Sequence, residues 1–161
     1  MIIKKNIKDA GWNESSHGDK YQRSHLSLTR MQDDNLLGCS AYRVKPGKRA
    51  FPKHGHLVND EAVFIVSGSG NLTIGDASDS VAAGDFVWLP RGSKHAHILI
   101  NDGDEDLLYL CISTNHMPDV VHYPDSAKIG VLESKSFWLE GESDISGFYR
   151  QQPADYWDGE D

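Results

Sequence analysis

The chain has 161 residues, 39% of them hydrophobic, and a formal charge of −8, which is enough length for one domain with a real core. No run of Lys and Arg appears, so the acidic balance excludes a nucleic-acid backbone or an anionic membrane as the partner. The opening residues Met1 to Asn6 lack the apolar run of a signal peptide and no segment is apolar enough to span a bilayer, so the expected location is cytoplasmic.

In chain order, residues 1–21 are broken by Gly11 and Gly18, and the polar stretch Asn13 to Lys20 reads as a loop. Ser24 to Thr29 alternates and predicts a strand; 31–35 predicts a turn. Leu37 to Val44 predicts a second strand, rich in residues that suit a half-buried sheet. Pro46 and Gly47 then turn the chain toward His54, Gly55 and His56. Ala62 to Val66 and Asn71 to Ile74 predict strands joined through Ser67, Gly68, Ser69 and Gly70. Gly75 to Asp79 turns again, and Ser80 to Ala83 is a short strand. Phe86 to Leu89 and His95 to Ile100 follow, separated by a turn at Pro90, Arg91 and Gly92. The charged turn Asn101 to Asp106 leads into a strong strand, Leu107 to Ser113. Strands this short, with a turn signal roughly every eight to twelve residues, predict an antiparallel sandwich or barrel. No stretch keeps a helical period and no internal repeat appears, so the expected fold is a single all-β domain.

Beyond Ser113, residues 114–126 contain Pro118 and Pro124 and read as a traverse across the barrel surface. Lys128 to Leu132 and Ser146 to Arg150 are candidate short strands. The division expected is an N-terminal extension with the first strand at 1–35, the barrel at 36–114, and a C-terminal traverse at 115–161. That last part ends in an acidic aromatic tail, read either as a surface tail or as packed on the barrel or a partner subunit through Tyr156 and Trp157. Cys39 and Cys111 sit in apolar runs and are expected to stay free thiols in a reducing compartment.

Function concentrates in two stretches. Residues two apart in a strand point to one face, so His54 and His56 aim two imidazoles at one point. Glu61 follows the polar turn Val58, Asn59, Asp60, which can return its carboxylate to the same place. Two neutral imidazoles and a carboxylate suit a divalent first-row metal. The second stretch runs from Gly84 through Pro90 and Gly92 to His95 and His97.

Together these stretches resemble the two sequence motifs of the cupin superfamily. The first matches at Gly47, His54, His56, Glu61 and Gly68, with one more residue than usual between Gly47 and His54. The second matches at Gly84, Pro90, Gly92 and His95. The asparagine that usually closes it four residues after the histidine is Leu99 here, with Asn101 two further on. The stretch 119–125 with 128–131 is also similar to the tail of small single-barrel cupins. The resemblance implies a double-stranded β-helix, a jelly-roll-like antiparallel barrel. It implies one divalent metal (Fe, Mn, Zn or Ni) on His54, His56, Glu61 and His95, and a homodimer.

His97 is expected to share the inward face of His95, first as a pocket-lining histidine or one that supports a ligand from behind, and second as a fifth ligand or catalytic base. Core packing is the first reading for Tyr42, Phe86, Trp88 and Tyr109; the second is an aromatic substrate-binding wall. Arg91 is a turn residue or a clamp on an anionic substrate. The function expected is a metal-dependent cupin acting on a small carboxylate- or carbonyl-bearing metabolite, as a dioxygenase, isomerase, lyase or decarboxylase. The alternative is a non-catalytic, metal-dependent small-molecule binding or sensing module.

Overall fold

The structure is a computed structural model that describes residues 4–8, 11–29, 35–134 and 145–160. Alternation dominates those residues, and they form thirteen strands with no α-helix among them. The strands are β1 (Asn13–His17), β2 (Tyr21–Ser27), β3 (Leu37–Val44), β4 (Gly55–His56), β5 (Glu61–Ser67), β6 (Ser69–Ile74) and β7 (Ala77–Ala82). They continue with β8 (Phe86–Leu89), β9 (His97–Ile100), β10 (Leu107–Thr114), β11 (Asp119–Tyr123), β12 (Lys128–Leu132) and β13 (Gly147–Arg150).

Three antiparallel layers result, in the orders β1-β2-β3-β10-β5-β8, β13-β12-β11-β4 and β7-β6-β9. The core lies between them, around Val44, Val63, Ile65, Leu72, Leu89, Leu107 and Tyr109. On β5, Val63 and Ile65 are buried at 4% and 0% exposure while Phe64 between them is exposed, so Glu61, two residues before Val63, starts on the inner side of this alternation. The two strands joined through Gly68, β5 and β6, do not pair as a hairpin but enter different sheets, and the step between them needs that glycine. Its φ is +80°, and a Cβ there would meet the Asp106 carbonyl at 2.6 Å.

Several expectations change. Asn13–His17 is a strand, paired with β2 from Asn13↔His25 to His17↔Tyr21. All five of its residues are exposed, so no apolar alternation marks it; backbone pairing alone makes it a strand. The traverse after Ser113 belongs to the fold, because β11 pairs with both β12 and β4. Residues 151–160 are exposed throughout, and Tyr156 and Trp157 meet edge-on against each other at 4.7 Å between centroids. The turn 31–35 lies, except for Asn35, outside the described residues. No helix of the described residues is long and apolar enough to cross a membrane.

Candidate metal centre

His54 stands just before β4, and its backbone forms a two-bond bridge with His97 at the start of β9: His54 N donates to His97 O at 3.1 Å, and His97 N to His54 O at 2.7 Å. That pairing sets the two rings side by side, 4.8 Å between centroids. His56, on β4, lies two residues on from His54 with its ring 5.4 Å away. Glu61 opens β5, and its Oε2 lies 3.1 Å from Nε2 of His97 and 3.8 Å from Nε2 of His56. His54, His56 and Glu61 offer ligand atoms that all lie within 4.8 Å of one another.

The set fits a divalent ion by its donor chemistry. Nδ1 of His54 lies 2.8 Å from the Pro52 carbonyl, and Nδ1 of His56 lies 2.6 Å from Oδ2 of Asp119. Neither partner can donate, so each Nδ1 carries the hydrogen and each Nε2 presents its lone pair to the centre. Burial pushes the His54 imidazole down to about 4, with His97 beside it pushing the same way, so it is neutral at pH 7. Burial alone would raise the Glu61 carboxyl. The hydrogen bond from His97 and the charges of His56 and His54 overcome it and bring the group down to about 2, so it is ionised. Cys111 donates its S–H to the other Glu61 oxygen, Oε1, at 3.7 Å. Burial, with Glu61 beside it, raises that thiol well above its usual value, so it remains protonated.

His56 moves the other way. Burial lowers it, but the hydrogen bond to Asp119 and the Glu61 charge outweigh burial and raise it. A ring held protonated must lose a proton before Nε2 can bind a metal, so protons compete with the ion at His56. We expect apparent zinc affinity to fall about tenfold per pH unit once the pH drops below the raised His56 value. Titrations at pH 7.5, 6.5 and 5.5 check this, and a flat profile would mean that no ring of the set is in play.

His97 stands beside this cluster, facing His54 and Glu61, whereas the His95 ring is turned to the surface. The segment Ser93–His95 is a 3-10 turn, not the start of a strand. His95 is exposed, with Nδ1 2.9 Å from the Arg91 carbonyl. β9 begins only after that turn, at His97, so the ring facing His54 and Glu61 belongs to His97, which is 8% exposed. The sequence held a signal for this: the four-residue step from histidine to closing asparagine runs from His97 to Asn101, not from His95.

The substrate-binding candidates also divide. Tyr42 and Tyr109 line a cavity of about 330 Å³ whose wall includes His54, His56, Glu61 and His97. Phe86 and Trp88 point outward, at 62% and 61% exposure, because Leu89, at 3%, takes the inner face of β8 with Val87 half-buried on the same side. Arg91 is a surface residue, its guanidinium 3.9 Å from Asp60 and its backbone N–H on the same carboxylate at 3.0 Å. Asp119, which lies outside both metal motifs, reaches His56 from β11, 63 positions along the chain.

A β-barrel of short antiparallel strands, with imidazoles and a carboxylate converging in its cavity, defines a class. The sequence profile of the cupin domain matches residues 41–113. A candidate sugar phosphate isomerase of Acidithiobacillus ferrooxidans is 31% identical, with TM-score 0.69, over 79% of this chain and 82% of that one. The chain belongs to the cupin superfamily. A cupin sugar phosphate isomerase of Silicibacter pomeroyi matches at 22% identity and TM-score 0.65, over 80% and 76% of the chains. A protein of Thermotoga maritima described as a predicted oxalate decarboxylase matches at 20% and 0.61, over 72% and 100%. No curated protein matches the sequence. At these identities the last two structures support the fold alone.

Proposed function

We propose that this chain is a metal-dependent cupin that binds a small carbonyl- or carboxylate-bearing metabolite at a centre formed by His54, His56, Glu61 and His97. The observation that carries this is the convergence of three imidazoles and one ionised carboxylate in the wall of a cavity of about 330 Å³. An ion held there would supply Lewis acidity toward a substrate oxygen. Around it the chain offers hydroxyl and amide groups, among them Ser40, Tyr42, Tyr109, Thr114 and Asn115. Burial raises Tyr42 to about 12 and Tyr109 well above its usual value, so both phenols keep their protons and donate to a substrate oxygen. Within the reactions such a centre serves, isomerisation of a polyhydroxy carbonyl compound is favoured, supported by the 31% identical isomerase candidate.

The test starts with elemental mass spectrometry on protein purified without an affinity tag or chelator. Reconstitution and an aldose–ketose interconversion screen follow. Stoichiometric metal with turnover is the expected outcome. Stoichiometric metal with ligand retained and no turnover would replace the enzyme reading with a binding module. No metal uptake after reconstitution would overturn both.

A further inference from the structure

Asp119 lies outside residues 41–113, the stretch that matches the cupin domain. It is 1% exposed, and a carboxylate buried to that degree persists only where donors satisfy it. Three do. His56 Nδ1 reaches Oδ2 at 2.6 Å, Asn59 Nδ2 reaches the same oxygen at 3.0 Å, and the Val58 N–H reaches Oδ1 at 3.1 Å. These bonds outweigh the upward push of burial and hold the carboxyl below its usual range.

The clamp is itself fixed. Asn59 is 5% exposed; its Oδ1 accepts from the His116 N–H at 2.6 Å and the Thr114 hydroxyl at 3.1 Å, and its Nδ2 donates to the His116 carbonyl at 2.9 Å. The backbone adds a second constraint, since Val121 on β11 pairs with His56 and the Leu57 N–H donates to Val120 O at 2.9 Å. Register and side chains thus both place the carboxylate behind one ring of the centre.

We propose that Asp119 is a positioning residue of the metal centre. It holds His56 in the Nδ1–H tautomer and turns Nε2 toward the centre. The C-terminal segment is then part of the centre and not a cover over it. This rests on the metal reading above, and the experiment separates the two.

Full-length protein stripped of metal is titrated with cobalt(II), followed by its visible absorption, for the wild type, Asp119→Asn, His56→Ala and the double variant. Asp119→Asn is expected to weaken cobalt binding about 10- to 100-fold and to change the visible band. In the His56→Ala background it is expected to cost nothing further, because it acts through that ring. Wild-type affinity and spectrum in Asp119→Asn would overturn the proposal. An equal loss with and without His56 would also overturn it, by showing that the carboxylate serves the fold and not the ring. Wild-type protein that takes up no cobalt would overturn the metal centre first, and the positioning role with it. Circular dichroism checks that each variant folds. If Asp119→Asn does not, Asn59→Ser, which frees Oδ2 from one of its two side-chain donors, carries the test. Weaker cobalt binding then supports the role, and unchanged binding overturns it.

Discussion

His97→Ala is expected to abolish tight metal binding, and His95→Ala to leave it at the wild-type level. The two residues are two apart and both are histidines, so any difference isolates geometry from composition. His97 is buried at 8% exposure with Nε2 3.1 Å from the Glu61 carboxylate, whereas His95 is exposed on a 3-10 turn with Nδ1 2.9 Å from a backbone carbonyl. Removing a direct ligand costs more than removing a ligand's own partner, so the loss at His97 should exceed roughly 100-fold in dissociation constant. Isothermal titration with zinc on metal-free protein reads this directly. Thermal denaturation of the same samples shows whether the vacated space at His97 has unfolded the barrel. A large loss at His95 with none at His97 would restore the ligand set that the motif spacing alone implies.

That difference in placement shows where sequence reasoning carries and where it stops. The strands Leu37–Val44, Phe86–Leu89 and Lys128–Leu132 are legible to the residue because each is a short run rich in residues that suit a sheet and is bounded by turn residues. His54, His56 and Glu61 were legible because their relation is local: two positions along one extended segment and one short turn away. Which face of a strand turns inward is not local. Phe86 and Trp88 alternate with Val87 and Leu89 equally well in either orientation, and the barrel resolves the ambiguity in favour of the smaller side chains. The exposed strand β1 carries no apolar face to detect. Asp119 reaches His56 only because β11 folds back against β4, a pairing that no spacing along the chain announces. The turn at Ser93–His95 delays the start of β9 to His97, and the four-residue step to the asparagine runs from that ring to Asn101.

Asn101→Leu should therefore be among the most destabilising single changes outside the centre, although it keeps the same branching and number of side-chain heavy atoms. Asn101 follows β9, the strand that begins with His97, and is 0% exposed. Its Nδ2 donates to the carbonyls of Val44 and Glu105 at 2.8 and 2.7 Å, and its Oδ1 accepts from the Gly103 N–H at 3.0 Å. One side chain thus ties the end of β3 to the turn that leads into β10. Leucine fills the space and satisfies none of the three. A buried polar group left without a partner costs about 1–3 kcal/mol, against about 0.5–1.5 for a bond that water can replace. Even with partial replacement by water, the loss should be on the order of 3 kcal/mol. For a chain of this size each kcal/mol lowers Tm by roughly 2–4 °C, so a fall on the order of 10 °C is expected. The backbone bonds that anchor the same residue, Asn101 N to Lys48 O at 2.9 Å and Gly47 N to Asn101 O at 2.8 Å, do not involve the side chain. They keep β9 in register, so zinc affinity measured well below the lowered Tm should stay at the wild-type value. Calorimetry and zinc titration on the same variant separate the two roles. An unchanged Tm would show that the backbone bonds alone hold this corner. A lowered zinc affinity in a folded variant would mean that the asparagine also sets where His97 stands.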